Sequence, residues 1–367
     1  MRNFLPILLL SFLTLSLFTT IANPISASPE LTADSWTTKT PMNQARFGLG
    51  VVAADGKIYA IGGATAEDMF HNSFAVGTNE CYDPKTDTWV TLEPMPTPRT
   101  GFAIAAYQSK IYCMGGTPHL TDDMKPRCDI TEVYDITTNT WSTKAAMPFK
   151  GSGLTGHNID DKIFVLNANS LFMYDPNTDT WDRKPDTLWL FASAATVVNN
   201  KIIKTGNFIV PSDAESKEIK YAAKTVTYDI ETNTWNEGQT DTTHETSTSV
   251  AAATTGTYAP QKIYILSATT NNLIYEPTTD TWTTTTPMPS NRDSFGAAVI
   301  DDVIYVIGGR NYEADTLLDV LSTNEQYVPI GYDSTSPYSL IYIAIILLAV
   351  LIVGIIVALT IYKRKKV

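Results

Sequence analysis

Three arginines stand at matching places in this 367-residue chain. Arg46, Arg99 and Arg292 each introduce an apolar run, and each lies 13 positions before a tyrosine (Tyr59, Tyr112 and Tyr305). A guanidinium offers a fork of donors that suits a carboxylate or sugar hydroxyls, so the three are candidate binding residues. Trp189, in the stretch Leu188-Trp189-Leu190-Phe191, falls where a further arginine of this series would stand. Its ring either stacks on a sugar face or packs into a core. The four histidines are His71, His119, His157 and His244. None forms a His-x-His or His-Glu-x-x-His pair, so their spacing defines no metal site. His157 and His244 join the binding candidates because both lie near the start of a repeat unit. No Gly-rich phosphate loop or nucleophile elbow occurs, no cofactor is expected, and no catalytic set can be named. Cys81, Cys113 and Cys128 are too few for a disulfide framework. One bridge, Cys113 to Cys128, and three unpaired thiols are both open.

These residues are positioned by a repeat. The stretch Tyr82-Asp83-Pro84-Lys85-Thr86-Asp87-Thr88-Trp89 recurs as Tyr134 to Trp141, Tyr174 to Trp181, Tyr228 to Trp235 and Tyr275 to Trp282. Trp36 is a further Trp without its Tyr, and Tyr327 a further Tyr without its Trp. Self-similarity at a spacing of about 50 residues marks a repeat architecture. Between copies come the arginine, an apolar run, an Asp-Gly-type turn, an Ile-Tyr run and a Gly-Gly pair (Gly62-Gly63, Gly115-Gly116, Gly308-Gly309). Short apolar runs joined by such turns read as hairpins, giving four strands per unit.

Four-strand units with Gly-Gly, Tyr-Asp-Pro, Trp and Met-Pro-x-x-Arg resemble kelch repeats. The resemblance spans about residues 34–328. It implies an all-β, six-bladed kelch-type β-propeller with four antiparallel strands per blade. The incomplete copies at the two ends add to one blade, so residues 35–39 are expected to close the ring. Asn167-Ala168, the lone Gly206 and Ser267-Ala268 depart from Gly-Gly in blades three to five. The loops between second and third strands are long in blades one, two, four and six, about 64–78, 117–129, 207–221 and 310–322. Long loops on a rigid scaffold collect binding residues. In some kelch propellers an arginine at the start of an inner strand lines the ligand mouth, and Arg46, Arg99 and Arg292 match that position. The family also includes sialic-acid mutarotases and copper radical oxidases; the Tyr–Cys–His set of the latter is not matched here.

The two ends carry other signals. Residues 1–28 have Arg2, an apolar run from Phe4 to Phe18 and small residues at Ala22 and Ala27, the pattern of a secretory signal peptide. Residues 29–328 are the propeller and 329–339 a juxtamembrane linker. Residues 340–362 form an uncharged transmembrane helix, followed by a basic cytoplasmic tail, 363–367. Setting aside Arg2, Lys363, Arg364, Lys365 and Lys366 leaves 21 of the 26 basic residues against 38 acidic ones, a charge of −17. That excludes a nucleic-acid partner, which needs a cationic surface. The expectation is a single-pass cell-membrane protein with its propeller outside. It would bind an extracellular glycan or protein through the outward loop face, the alternative being a sugar-modifying enzyme of mutarotase or epimerase type.

Overall fold

The computed structural model describes residues 31–67, 73–118, 127–210, 220–241, 249–267, 272–311, 319–334 and 348–354. The chain divides into two units, Met1–Thr32 and Ala33–Val367, and every strand belongs to the second.

Six four-stranded antiparallel sheets account for the repeat. Blade one is Gly50–Ala54, Lys57–Ile61, Asn79–Asp83 and Thr88–Leu92. Blade two is Ala103–Tyr107, Lys110–Met114, Thr131–Asp135 and Thr140–Lys144, and blade three Thr155–Ile159, Lys162–Leu166, Leu171–Asp175 and Thr180–Lys184. Blade four is Phe191–Val198, Lys201–Val210, Lys220–Asp229 and Thr234–Asp241, and blade five Ser249–Ala253, Ile263–Ser267, Asn272–Glu276 and Thr281–Thr285. Blade six is Gly296–Ile300, Val303–Ile307 and Asn324–Val328, completed by Ser35–Lys39 pairing antiparallel with Asn324–Val328. The first strands of successive blades adjoin around the whole ring, blade six against blade one. The ring closure expected from the two half-repeats is therefore present.

The Tyr-to-Trp stretch is a staple between blades. Tyr and Trp face each other across the third and fourth strands, for example Tyr82 with Trp89 at 5.0 Å between ring centres. The turn residue takes a left-handed conformation, φ 53° at Asp87, which Asp and Asn tolerate. Asp87 accepts the Tyr82 hydroxyl at 2.7 Å and the Thr40 N–H of the preceding blade at 2.9 Å. The Trp89 indole donates to the Thr40 carbonyl at 2.8 Å. Asp34 performs this service at the ring closure. It accepts the Tyr327 hydroxyl at 2.8 Å, while Trp36 donates to the Thr286 carbonyl of blade five at 3.1 Å. Between blades lie apolar layers, such as Ala103, Tyr112 and Met114 against Ile163, Val165 and Tyr174.

Two features differ from the sequence reading. In blade four both described ends of the expected 207–221 loop, 207–210 and 220–221, are strand. Pairing continues to Val210↔Lys220, so this hairpin outruns the five-residue strands of blades one, two and three. The run Phe208-Ile209-Val210, aromatic then β-branched, favours that extension. Secondly, the chain beyond Val328 folds back. The Asp333 N–H donates to the Tyr258 carbonyl at 2.7 Å, and Tyr332 stacks on Tyr258 at 6.2 Å. The Tyr258 loop joins the first and second strands of blade five, so this exit lies opposite the loops between second and third strands. The loop is itself held by Asp302, whose carboxylate accepts the N–H groups of Thr257, Tyr258 and Ala259 at 2.9, 2.7 and 3.0 Å.

The predicted signal peptide lies outside the described residues. So does most of the predicted span, of which 348–354 is helical with Leu348, Val350, Leu351, Ile352 and Val353 exposed. No helix among the described residues is long and apolar enough to cross a membrane.

Candidate functional site

The three arginines do not face a ligand. Each is fully buried, and each turns under the loop face into its own blade. Arg46 donates to the carbonyls of Ala60, Gly62 and Thr78 and to the Glu80 carboxylate at 2.7 Å. Arg99 meets the Cys113 carbonyl at 3.0 Å and Glu132 at 3.1 Å. Arg292 meets the Val306 carbonyl at 3.2 Å and Glu325 at 2.8 Å. The far oxygens of these carboxylates are also engaged: Glu80 accepts the Asn43 N–H, and Glu132 and Glu325 accept hydroxyls from Thr97 and Ser290. The expectation that Arg46, Arg99 and Arg292 bind ligand is corrected on this geometry, because each guanidinium is wholly buried and ion-paired with a glutamate of its own blade. The Gly-Gly pairs make room for the same junction. Gly62 has φ +62°, and a Cβ there would lie 2.8 Å from the Arg99 carbonyl. All three cysteines are free and buried, so the Cys113–Cys128 bridge is not formed.

Trp189 behaves in the opposite way. It is 54% exposed, one of the few large apolar side chains open to solvent, so the core-packing option for it does not hold. It borders a cleft of ≈ 500 Å³ between blades three and four, lined also by Arg127, Ser152, Asn167, Asn169 and Ser193. The cleft exists because blade three joins its second and third strands by a tight turn. Asn167 donates its N–H to the Ser170 carbonyl at 2.9 Å and caps the Ala168 N–H with its side chain at 2.7 Å. Blade four, next in the ring, carries the extended hairpin. On that hairpin Ile209 and Tyr221 face each other across the strands, and both are exposed.

Lys204 ties two of the bordering segments together. Its ammonium donates to the carbonyls of Ala168 and, at 3.0 Å, Leu188, the residues just before Asn169 and Trp189. Lys204 is 1% exposed, and burial pushes its ammonium down to about 8.

The central channel, ≈ 440 Å³, is lined by the first strands of all six blades, chiefly Gly, Ala and Val. Thr155 and Ala195 border both channel and cleft, so the two adjoin. His157 lies in the channel, its Nε2 3.2 Å from the Thr155 hydroxyl, and desolvation pushes its imidazole down to about 4. Among the described lining residues His157 is the only titratable group. His244, His71 and His119 lie outside the described residues, and no metal-binding cluster occurs among the described ones. Sequence reasoning thus names Trp189 and His157 and misses Arg127, Lys204, Asn167 and Asn169.

Fold and repeated buried ion pairs define a six-bladed β-propeller built on a four-strand repeat. The Kelch motif matches residues 45–96, 98–148 and 291–331, which are blades one, two and six, the blades with Arg, Gly-Gly and Glu together. The chain thus carries Kelch motifs in three blades of its six-bladed propeller. It is similar to Kelch repeat and BTB domain-containing protein 8 of Danio rerio, 26% identical over 218 residues that cover 44% of this chain and 36% of that protein. It is also similar to the Influenza virus NS1A-binding protein homolog of Mus musculus, 41% identical over 85 residues, 23% of this chain and 12% of that protein. The matches therefore span about a third or less of these relatives' lengths. Among solved structures, that titled Structure of YjhT superposes with a TM-score of 0.59 at 12% identity, covering 77% of this chain and 95% of that one. At that identity the likeness concerns the fold.

Proposed function

We propose that this protein is a cell-surface binding module that engages a glycan or protein partner through the Trp189 cleft. One observation carries the reading: a large aromatic ring stands open to solvent beside a polar cleft, on the face opposite the chain's exit. Exposed aromatic anchors next to adaptable polar groups are what recognition surfaces use. Kelch propellers are generally protein-binding modules, which supports a binding role over a catalytic one. Among the described lining residues of the channel, His157 is the one candidate for acid–base work.

The topology of export belongs to the same proposal. Residues 1–28 direct secretion, 340–362 span the membrane, and 363–367 remain in the cytoplasm. The chain leaves by the face of the Tyr258 loop, so an anchored propeller turns the cleft outward. The test is a glycan array and a surface-protein library probed with the full chain in detergent micelles, wild type against Trp189→Ala. A ligand lost on Trp189→Ala, with unchanged thermal unfolding, supports the reading. A ligand retained by that variant contradicts it.

A further inference from the structure

Buried cations elsewhere in this propeller are neutralised. Arg46 has Glu80, Arg99 has Glu132 and Arg292 has Glu325. Lys204 breaks the rule. Its hydrogen bonds go to two carbonyls, and among the described residues no carboxylate forms an ion pair with it. Its charge is held behind the cleft lining, because it bonds the carbonyl of Ala168, which lines the cleft, and that of Leu188, the residue before Trp189. Arg127, exposed on the lining, is the only charged residue among the described residues that border the cleft. The described lining of the cleft is thus cationic, on a propeller (29–328) that has 21 basic against 37 acidic residues, a charge of −16. In a partly desolvated site such charge is a strong selector, since Coulomb energies rise as the effective dielectric falls.

The remaining groups narrow the ligand. An open indole face suits the C–H face of a pyranose, and the amides and hydroxyls of Asn167, Asn169, Ser152 and Ser193 suit its hydroxyls. A long polyanion would meet the acidic surroundings, whereas a single negative charge would not. We propose that the Trp189 cleft binds a saccharide bearing one carboxylate, a uronic acid, with its ring on Trp189 and its carboxylate at Arg127. Lys204 supplies the unneutralised charge behind the lining. This rests on the binding-module reading and names the chemistry of its ligand.

Two pairs of probes isolate the charge, because each pair differs only in a carboxylate against a hydroxymethyl group. They are methyl glucuronide against methyl glucoside and methyl galacturonide against methyl galactoside, titrated into the full chain in detergent and followed by NMR. At least one uronide is expected to bind tenfold or more tighter than its neutral twin. Arg127→Gln should bring that ratio near one. Lys204→Met should weaken the uronide alone, with Lys204→Arg restoring it, a pattern that simple unfolding would not give. Trp189→Ala should weaken both members of a pair. Equal binding within both pairs, or no uronide binding at all, overturns the inference. So does a preference for a peptide with a free C-terminal carboxylate, used as a third probe. Should the inference fail while another glycan or protein ligand still depends on Trp189, the binding-module reading survives it.

Discussion

Replacing Arg46 by Met tests whether the repeated arginines hold blades together. The side chain is fully buried and donates to three carbonyls and to Glu80 at 2.7 Å. Its loss strands a carboxylate that is 1% exposed. Removing one partner of a buried ion pair costs about 3–5 kcal/mol, because the other charge is left uncompensated. Removing the carboxylate as well, in Arg46→Met with Glu80→Met, should recover about 2 kcal/mol of that, since the stranded charge goes with it. Recovery is partial because Glu80 also accepts the Asn43 N–H at 2.9 Å. Arg292→Met should cost less than Arg46→Met. Arg292 has fewer acceptors, and its Nε and one terminal nitrogen find no hydrogen-bond partner. Urea unfolding of the full chain in detergent, followed by tryptophan fluorescence, measures all three midpoints. An Arg46→Met midpoint within error of wild type would refute the reasoning. So would loss of ligand binding in that variant with stability unchanged.

Three further outcomes are expected. Asp34→Ala should lower stability by about 2 kcal/mol, because it removes a charge-assisted acceptor from the Tyr327 and Thr285 hydroxyls, each at 2.8 Å, at the seam of the ring; equal stability in denaturant would place ring closure elsewhere. Lys204 titrates near 8 in the fold against 10.5 unfolded, so its penalty is full below pH 8 and relieved as pH rises to 10.5. Wild type should therefore gain stability relative to Lys204→Met across that window, and parallel pH–stability curves would contradict this. The His157 ring resonances should titrate near 4, well below the ordinary 6.5 of an imidazole, and a midpoint at 6.5 would show that water fills its surroundings.

The propeller is legible in the sequence because its repeat is redundant. Five complete Tyr-to-Trp stretches and two half copies determine blade number, strand order and closure, and Ser35–Lys39 pairs as the half copies require. The arginines mislead because a sequence position does not tell which way a side chain turns. One signal in the chain does tell. Glu80, Glu132 and Glu325 lie two residues before the repeat tyrosine in the blades that carry the arginine, while Phe172, Val226 and Leu273 hold that place in the other three. Arginine and glutamate occur together or not at all, as a buried pair demands. Trp189 is visible as the one of seven tryptophans outside the repeat register. Lys204 is not visible, since a lysine in a strand gives no sign that it will be buried without a carboxylate. The cleft is hidden for a related reason: it lies at the tight turn Asn167–Ser170, whose bonding a sequence does not show.

The central claim, that the ligand contacts Trp189 rather than the arginines or the channel, has a direct measurement. Among the described residues Trp36, Trp89, Trp141, Trp181 and Trp235 donate their indole N–H groups to carbonyls of the preceding blade, while the exposed Trp189 lies outside that register. Indole ¹⁵N labelling of the full chain therefore reads the site against internal controls when a ligand from the binding screens is titrated in. The Trp189 indole resonance should move while those five stay in place. Movement of the repeat indoles or of His157, with Trp189 unchanged, would contradict the account.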